Sequence, residues 1–283
     1  MGTPAGLTPG ATPGIDRLSL NQITVERASL EEAVEACGRH DVPNIAVWRH
    51  KLAETGLERA ARLIRGAGLR VSSVCRGGMF PAATGAERAA RIDDNRRAVD
   101  EAAALCADVL VLVCGAAPLP SKDIAAARRM VADGIAALVP YARERGVRLG
   151  IEPMHPGFAA ERSCITTLRE ARRLAERFDL STVGVVADVY HIWWDPELYD
   201  QLARAAGLLV GFHVSDWLVP ARDVLMNRGM MGDGVIELCR IRAAVERAGY
   251  AGPIEVEIFN QAVWDAPLDT VLPLIKERFL SCV

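Results

Sequence analysis

Eight times along this chain, a short apolar run rich in β-branched residues gives way to a longer segment of Ala, Leu, Arg and Glu with helical spacing. The runs are RLSLNQ (17–22), NIAVW (44–48), RVSSVC (70–75), DVLVLVC (108–114), RLGIEPM (148–154), VGVVADV (183–189), LLVGFHVSD (208–216) and PIEVEIF (253–259). The helical segments fall at 29–39, 56–67, 86–106, 121–145, 165–178, 196–206, 235–248 and 267–279. This alternation constrains the fold more than any other feature, because strands joined by helical crossovers must lie parallel. Eight such units in 283 residues fit one closed (β/α)8 barrel, a single α/β domain over residues 15–283. An open, doubly wound sheet would carry a GxGxxG phosphate loop after an early strand, and the chain has none.

Boundary residues agree with this division. Ser29 with Glu32 three residues on forms a capping box, and Ser121 precedes another helical segment. Gly38, Gly68, Gly146, Gly207 and Gly249 stand at or near helix stops. The opening stretch MGTPAGLTPGATPG has neither a basic nor an apolar region of the kind a secretion signal needs, so residues 1–14 are expected to be a disordered lead.

Composition removes several function classes. The net charge is −3 with no basic block, so the electrostatic footprint of a nucleic-acid binder is missing. No apolar run approaches the roughly 18 residues of a membrane span. Seven cysteines, an odd number without a CxxC pair, argue against a disulfide framework or a cysteine zinc site and for a cytoplasmic protein. The only lysines are Lys51, Lys122 and Lys276, none of them inside a strand, which disfavours Schiff-base chemistry. No GxSxG elbow signals a serine hydrolase.

In a (β/α)8 barrel the chemistry sits at the C-terminal ends of the strands. Four of five histidines (His50, His155, His191 and His213) fall there, and only His40 does not. All five tryptophans, at 48, 193, 194, 217 and 264, do the same, which points to an aromatic-walled pocket. Glu152, Asp188, His213 and Glu257 lie late in the fifth to eighth strands among apolar neighbours. Three carboxylates brought to one rim would repel each other and drive protonation. One divalent cation removes that conflict, and a carboxylate-rich set with one imidazole suits Mn²⁺ best, then Mg²⁺ or Co²⁺, and admits Zn²⁺. Glu255 faces the same side as Glu257 but deeper, where it is expected to pair with an arginine.

These residues resemble a known family. IEP at Glu152, ADVYH at Asp188 and His191, FHVSD at His213 and Asp216, MGDG at 231–234 and GYAGPIEVEIF at Glu257 are similar to the xylose isomerase-like TIM barrels. Within that group they look most like sugar phosphate isomerase/epimerases, ketose 3-epimerases and inosose dehydratases. The resemblance implies a single divalent metal held by Glu152, Asp188, His213 and Glu257, and a contact between His191 and a substrate oxygen. It also implies an arginine about six residues after the seventh-strand histidine; here Arg222 comes nine later and Arg228 later still. Arg222 is taken as the substrate-binding candidate.

The expected chemistry is proton transfer next to a carbonyl, with Glu152 and Glu257 as catalytic carboxylates and a metal-stabilised enediolate between keto-sugar or polyol isomers. Trp193 would stack on a sugar face and Trp48 would form the opposite wall. Arg76, in CRGGMF, is a further candidate for a phosphate or carboxylate, although the sequence shows no dedicated phosphate cradle. The same enolate permits a lyase acting on a keto-inositol or 3-keto-glycoside. A metal-dependent hydrolase would need a second ion, for which His50 and His155 are the candidates. Tryptophans at the barrel mouth lead us to expect a homo-oligomer, a dimer or tetramer.

Overall fold

Every one of the eight apolar runs becomes a strand in the computed structural model, which describes residues 12–283; most of the expected disordered lead lies outside the described residues. The strands are β1 (Leu18–Asn21), β2 (Asn44–Trp48), β3 (Arg70–Gly78), β4 (Leu110–Val113), β5 (Leu149–Glu152), β6 (Val183–Asp188), β7 (Leu209–Val214) and β8 (Ile254–Val256). All pair in parallel with their sequence neighbours, and β8 closes on β1 through Leu18 opposite Ile254 and Leu20 opposite Val256.

Alternation along each strand creates two separate cores. Leu110, Leu112, Leu149, Ile151, Val183 and Val185 pack outward under the helices in one large cluster. Burying each such side chain contributes about 1.5–3 kcal/mol. Cys75, Val109, Val111, Val186 and Val210 form a small plug inside the barrel. That plug is tight. A Cβ on Gly150 would lie 2.6 Å from Val186 and 2.8 Å from Val109, so only glycine fits two residues below Glu152.

The helix boundaries follow local capping. Ser29 and Glu32 form the expected box before Leu30–Arg39. The next capping candidate needs correction: Asp123, not Ser121, caps Ile124–Glu144, accepting from Ala126 N–H at 2.8 Å, while Ser121 accepts from the Asp123 amide. Gly38 does not stop its helix, which runs on through Arg39; the left-handed position falls on Asp41 (φ 50°) instead. The segment expected over 165–178 narrows to Leu168–Ala175 because Thr167 accepts from the Glu170 amide and fixes the start.

The C-terminal rim holds elements that periodicity does not reveal. Short helices Arg49–Thr55, Val189–Ile192 and Gln261–Asp265 follow β2, β6 and β8 closely. Asp216–Trp217 and Arg228–Gly229 pair as a small antiparallel ribbon beyond β7. Asp216 ties the MGDG turn down, its carboxylate accepting from the amides of Gly232 (2.9 Å) and Ile236 (3.0 Å). Among the described residues no helix is long and apolar enough to cross a membrane.

Candidate metal centre

Glu152 ends β5, Asp188 ends β6, His213 sits one residue before the end of β7, and Glu257 follows β8 directly. The register sets Asp188 opposite His213 and His213 opposite Glu255. One donor atom from each of Glu152, Asp188, His213 and Glu257 lies within 4.8 Å of all the others, and all four side chains are buried. His213 Nδ1 is 3.3 Å from Glu152 Oε1 and 3.4 Å from Glu257 Oε2. Yet neither Glu152 Oε1 nor His213 Nδ1 makes a well-formed hydrogen bond. Orphaned buried polar atoms are costly in a folded interior. A three-carboxylate, one-imidazole donor set closing on one point, with two donors left unsatisfied by the protein, fits a divalent cation.

Protein charges alone leave the cluster strained. Burial, with the Glu257 carboxylate adding to it and His213 opposing, pushes Glu152 up to about 7. Burial would also raise Asp188, but Arg228, His191 and His213 outweigh it and hold that carboxyl at about 2. His213 is held above its ordinary value: burial opposes the charge, and the Glu255 carboxylate leads the groups that favour it. Burial drives His191 down to about 3, so its imidazole is neutral. Its Nε2 lies 3.1 Å from Arg228 Nη2 and must accept there, which leaves the proton on Nδ1, a buried atom without a partner.

The surrounding groups correct two expectations. Among the described residues Glu255 pairs with no arginine; its Oε2 lies 3.1 Å from His213 Nε2 and accepts from Asn21 Nδ2 at 2.9 Å. Nε2 makes no well-formed hydrogen bond there, so Glu255 acts on the imidazole as a nearby negative charge; a carboxylate on the far ring nitrogen is the usual support of a metal-ligating histidine. Arg222 is exposed, and among the described residues its guanidinium has no hydrogen-bond or ion-pair partner. Arg228 enters the site instead. Its Nη1 lies 2.8 Å from Asp188 Oδ2 and 3.2 Å from Glu257 Oε2. The rings of Tyr190 (4.5 Å) and Phe259 (5.3 Å) flank its guanidinium.

Asn21 is a site residue that the sequence reading passed over. Besides Glu255, its amide approaches Glu257 at 3.4 Å, and its oxygen accepts from Trp48 Nε1 at 2.7 Å. The available signal was an amide at the last position of the first strand, LSLN. Trp48 is half-buried, edge-on to Phe259 at 5.8 Å, and lines a cavity of about 340 Å³ at the β2–β3 side of the mouth. Trp193 is half-buried against Trp217 (5.6 Å), which in turn stacks on Tyr190 (4.7 Å). His50 pairs with Glu26 at 3.1 Å, and His155 packs on Trp217 at 5.0 Å. Neither joins the metal-ligand group, and among the described residues no second such group converges.

A family model described as xylose isomerase-like TIM barrel matches residues 31–277. Among curated proteins, a 3-dehydroshikimate dehydratase of Pseudomonas aeruginosa is 30% identical over 166 residues, covering 56% of this chain and 24% of that protein. The chain thus spans about a quarter of the curated relative it matches. Among solved structures, protein SMc04130 from Sinorhizobium meliloti 1021 superposes with a TM-score of 0.93 at 49% identity, covering 95% of this chain and 99% of that one. An IOLI protein structure with a bound zinc atom superposes with a TM-score of 0.81 at 17% identity, covering 94% and 98%.

Proposed function

We propose that this chain, which belongs to the xylose isomerase-like TIM barrel family, is a divalent-metal enzyme that enolises a keto-sugar or related small polyol, acting as an isomerase or epimerase. The observation that carries the reading is the convergence of Glu152, Asp188, His213 and Glu257 within 4.8 Å, with Glu152 Oε1 and His213 Nδ1 left unsatisfied by the protein. Mn²⁺ is our first choice of ion, with Mg²⁺ or Co²⁺ next; Zn²⁺ is also compatible, and the IOLI structure holds zinc.

An ion held by these four side chains would supply Lewis acidity to a substrate carbonyl. Glu152 and Glu257 approach His213 Nδ1 from two different strands, so a substrate above it lies between two carboxylates. One takes the proton from the carbon beside the carbonyl, leaving an enediolate, and the other returns a proton. Return to the opposite face of the same carbon is epimerisation, and return to the neighbouring carbon is isomerisation. His191, neutral with its proton on Nδ1, donates a hydrogen bond to a substrate oxygen. Trp48 and Trp193 shape the mouth around the ring or chain of the substrate.

A second reading shares the enediolate and ends in loss of a β-hydroxyl as water. It draws on the 30% identity to a 3-dehydroshikimate dehydratase over 166 residues. Solvent deuterium separates the outcomes. Metal-loaded protein in D₂O should place deuterium at the carbon beside the carbonyl of a keto-sugar or keto-inositol. A new conjugated-enone absorbance would instead mark dehydration. If no member of a broad panel shows either signal, the enolisation reading is wrong.

A further inference from the structure

The cavity beside the metal centre carries more positive charge than its own acids balance. Of its lining residues Arg49, Arg76 and Arg91 are cationic and Asp94 alone is anionic. Asp94 is already engaged by Arg49 at 3.0 Å and by Arg97 at 3.1 Å. Arg49 is further held by Glu101 at 2.5 Å. Among the described residues neither Arg76 nor Arg91 has a guanidinium hydrogen bond or ion pair, but Arg91 is exposed while Arg76 is half-buried. Burial and then the neighbouring cation Arg162 lower the pKa of Arg76, and the carboxylate that acts on it most is the metal-site residue Glu152. Arg162 lies over the ring of Phe158 at 5.6 Å, and Phe158 meets the His191 ring edge-on at 5.8 Å. Two arginines without carboxylate partners therefore stand beside the reacting centre.

A half-buried, unpaired guanidinium costs desolvation free energy with no return from the protein. A neutral sugar would leave that cost in place. An anionic substrate would meet it, and would also need it. At the metal centre Glu152, Asp188, Glu255 and Glu257 crowd around His213 and Arg228, so the cation that an incoming carboxylate can use is the unpaired one on the opposite wall. A carboxylate suits the guanidinium fork better than a phosphate suits this wall. Two backbone amides near Arg76 are not free to cradle phosphate oxygens: Gly78 N–H donates to Asn95 Oδ1 at 2.6 Å and Met79 N–H to Val113 O at 2.8 Å.

We propose that Arg76, backed by Arg162, binds a substrate carboxylate, so that the keto-sugar or polyol of the proposed function is an acid of that class, a polyhydroxylated keto acid. This rests on the enolisation reading for what happens after binding, but the anion subsite itself is tested without turnover. The probes are matched pairs of acid and methyl ester, quinate and galacturonate each against its ester, titrated calorimetrically into manganese-loaded protein. The acid of at least one pair should bind about tenfold or more tightly than its ester. Arg76→Gln should erase that preference while leaving ester affinity and manganese content unchanged. Arg76→Lys should keep part of it, because an ammonium retains the charge but not the fork.

Absence of acid preference in every pair, whether both members bind or neither does, overturns the proposal. So does an Arg76→Gln protein that loses acid and ester affinity equally. Ribulose 5-phosphate binding through Arg76 more tightly than any acid would overturn the carboxylate assignment. Manganese content, measured on the same samples, reports the metal reading separately. An Arg76-dependent acid preference in protein that takes up no metal would sustain the subsite and defeat the enolisation reading.

Discussion

Arg228 and Arg76 face the same barrel mouth from opposite sides in opposite electrostatic surroundings. Arg228 is buried between Tyr190 and Phe259 and bonded through Nη1 to Asp188, so the protein answers its charge although its Nε finds no acceptor. Arg76 lines a 340 Å³ cavity with no ion-pair partner among the described residues. The β5–β8 half of the rim is thus a network of paired charges arranged around one point, finished but for the donors left to an ion. The β2–β3 half is unfinished and open. Preorganised polar groups aimed at a fixed centre suit catalysis, and groups left unpaired at a cavity suit recognition of something that arrives.

The comparison can be broken from its strongest side first. His213→Ala removes a ligand-type nitrogen from the centre of the finished half and leaves Glu255 without its cation partner. Bound metal should fall to near zero by elemental analysis and deuterium wash-in should vanish; unchanged metal content would end the account of this half. Arg228→Met comes next. Stripping the partner from buried Asp188 and Glu257 should cost about 3–5 kcal/mol in urea unfolding without added metal. Added Mn²⁺ should recover part of that loss, because the ion answers the same two carboxylates. A cost below about 1 kcal/mol would mean that the network is not coupled as its distances imply.

A smaller effect should come from Glu255→Gln, which keeps the shape but weakens the hold on His213 Nε2 (3.1 Å). Metal affinity should drop roughly 10–100-fold in a competition titration, with the fold intact by circular dichroism. Smallest of all is Arg76→Gln. Since this arginine has no protein partner to lose, urea stability should stay within about 0.5 kcal/mol of wild type or rise slightly. A loss comparable to that of Arg228→Met would erase the contrast between the halves.

Much of the finished half could be read in the sequence for a plain reason. An acid or imidazole late in an apolar strand has one destination in a parallel barrel, the C-terminal rim, and the two-residue period of a strand says that it faces inward. Glu152, Asp188, His213 and Glu257 were found that way. Arg228 stood only as a later alternative to Arg222, because neither belongs to a periodic segment that would place it. The run between Trp217 and Arg228 is irregular, and only the pairing of Asp216–Trp217 with Arg228–Gly229 folds it back over the centre and leaves Arg222 outside. The partner of Glu255 was misjudged for a similar reason. Strand β1 closes the barrel against β8, and that closure brings Asn21 beside Glu255 from 234 residues away.

What the sequence determined alone was the architecture and the donor set, because hydrophobic periodicity and residue type act locally and survive without knowledge of neighbours. Which charges are answered and which are left waiting was decided only when the barrel closed. A guanidinium's partner is set by through-space distance, and Arg228 meets Asp188 across 40 residues of chain while Arg76 meets no partner among the described residues.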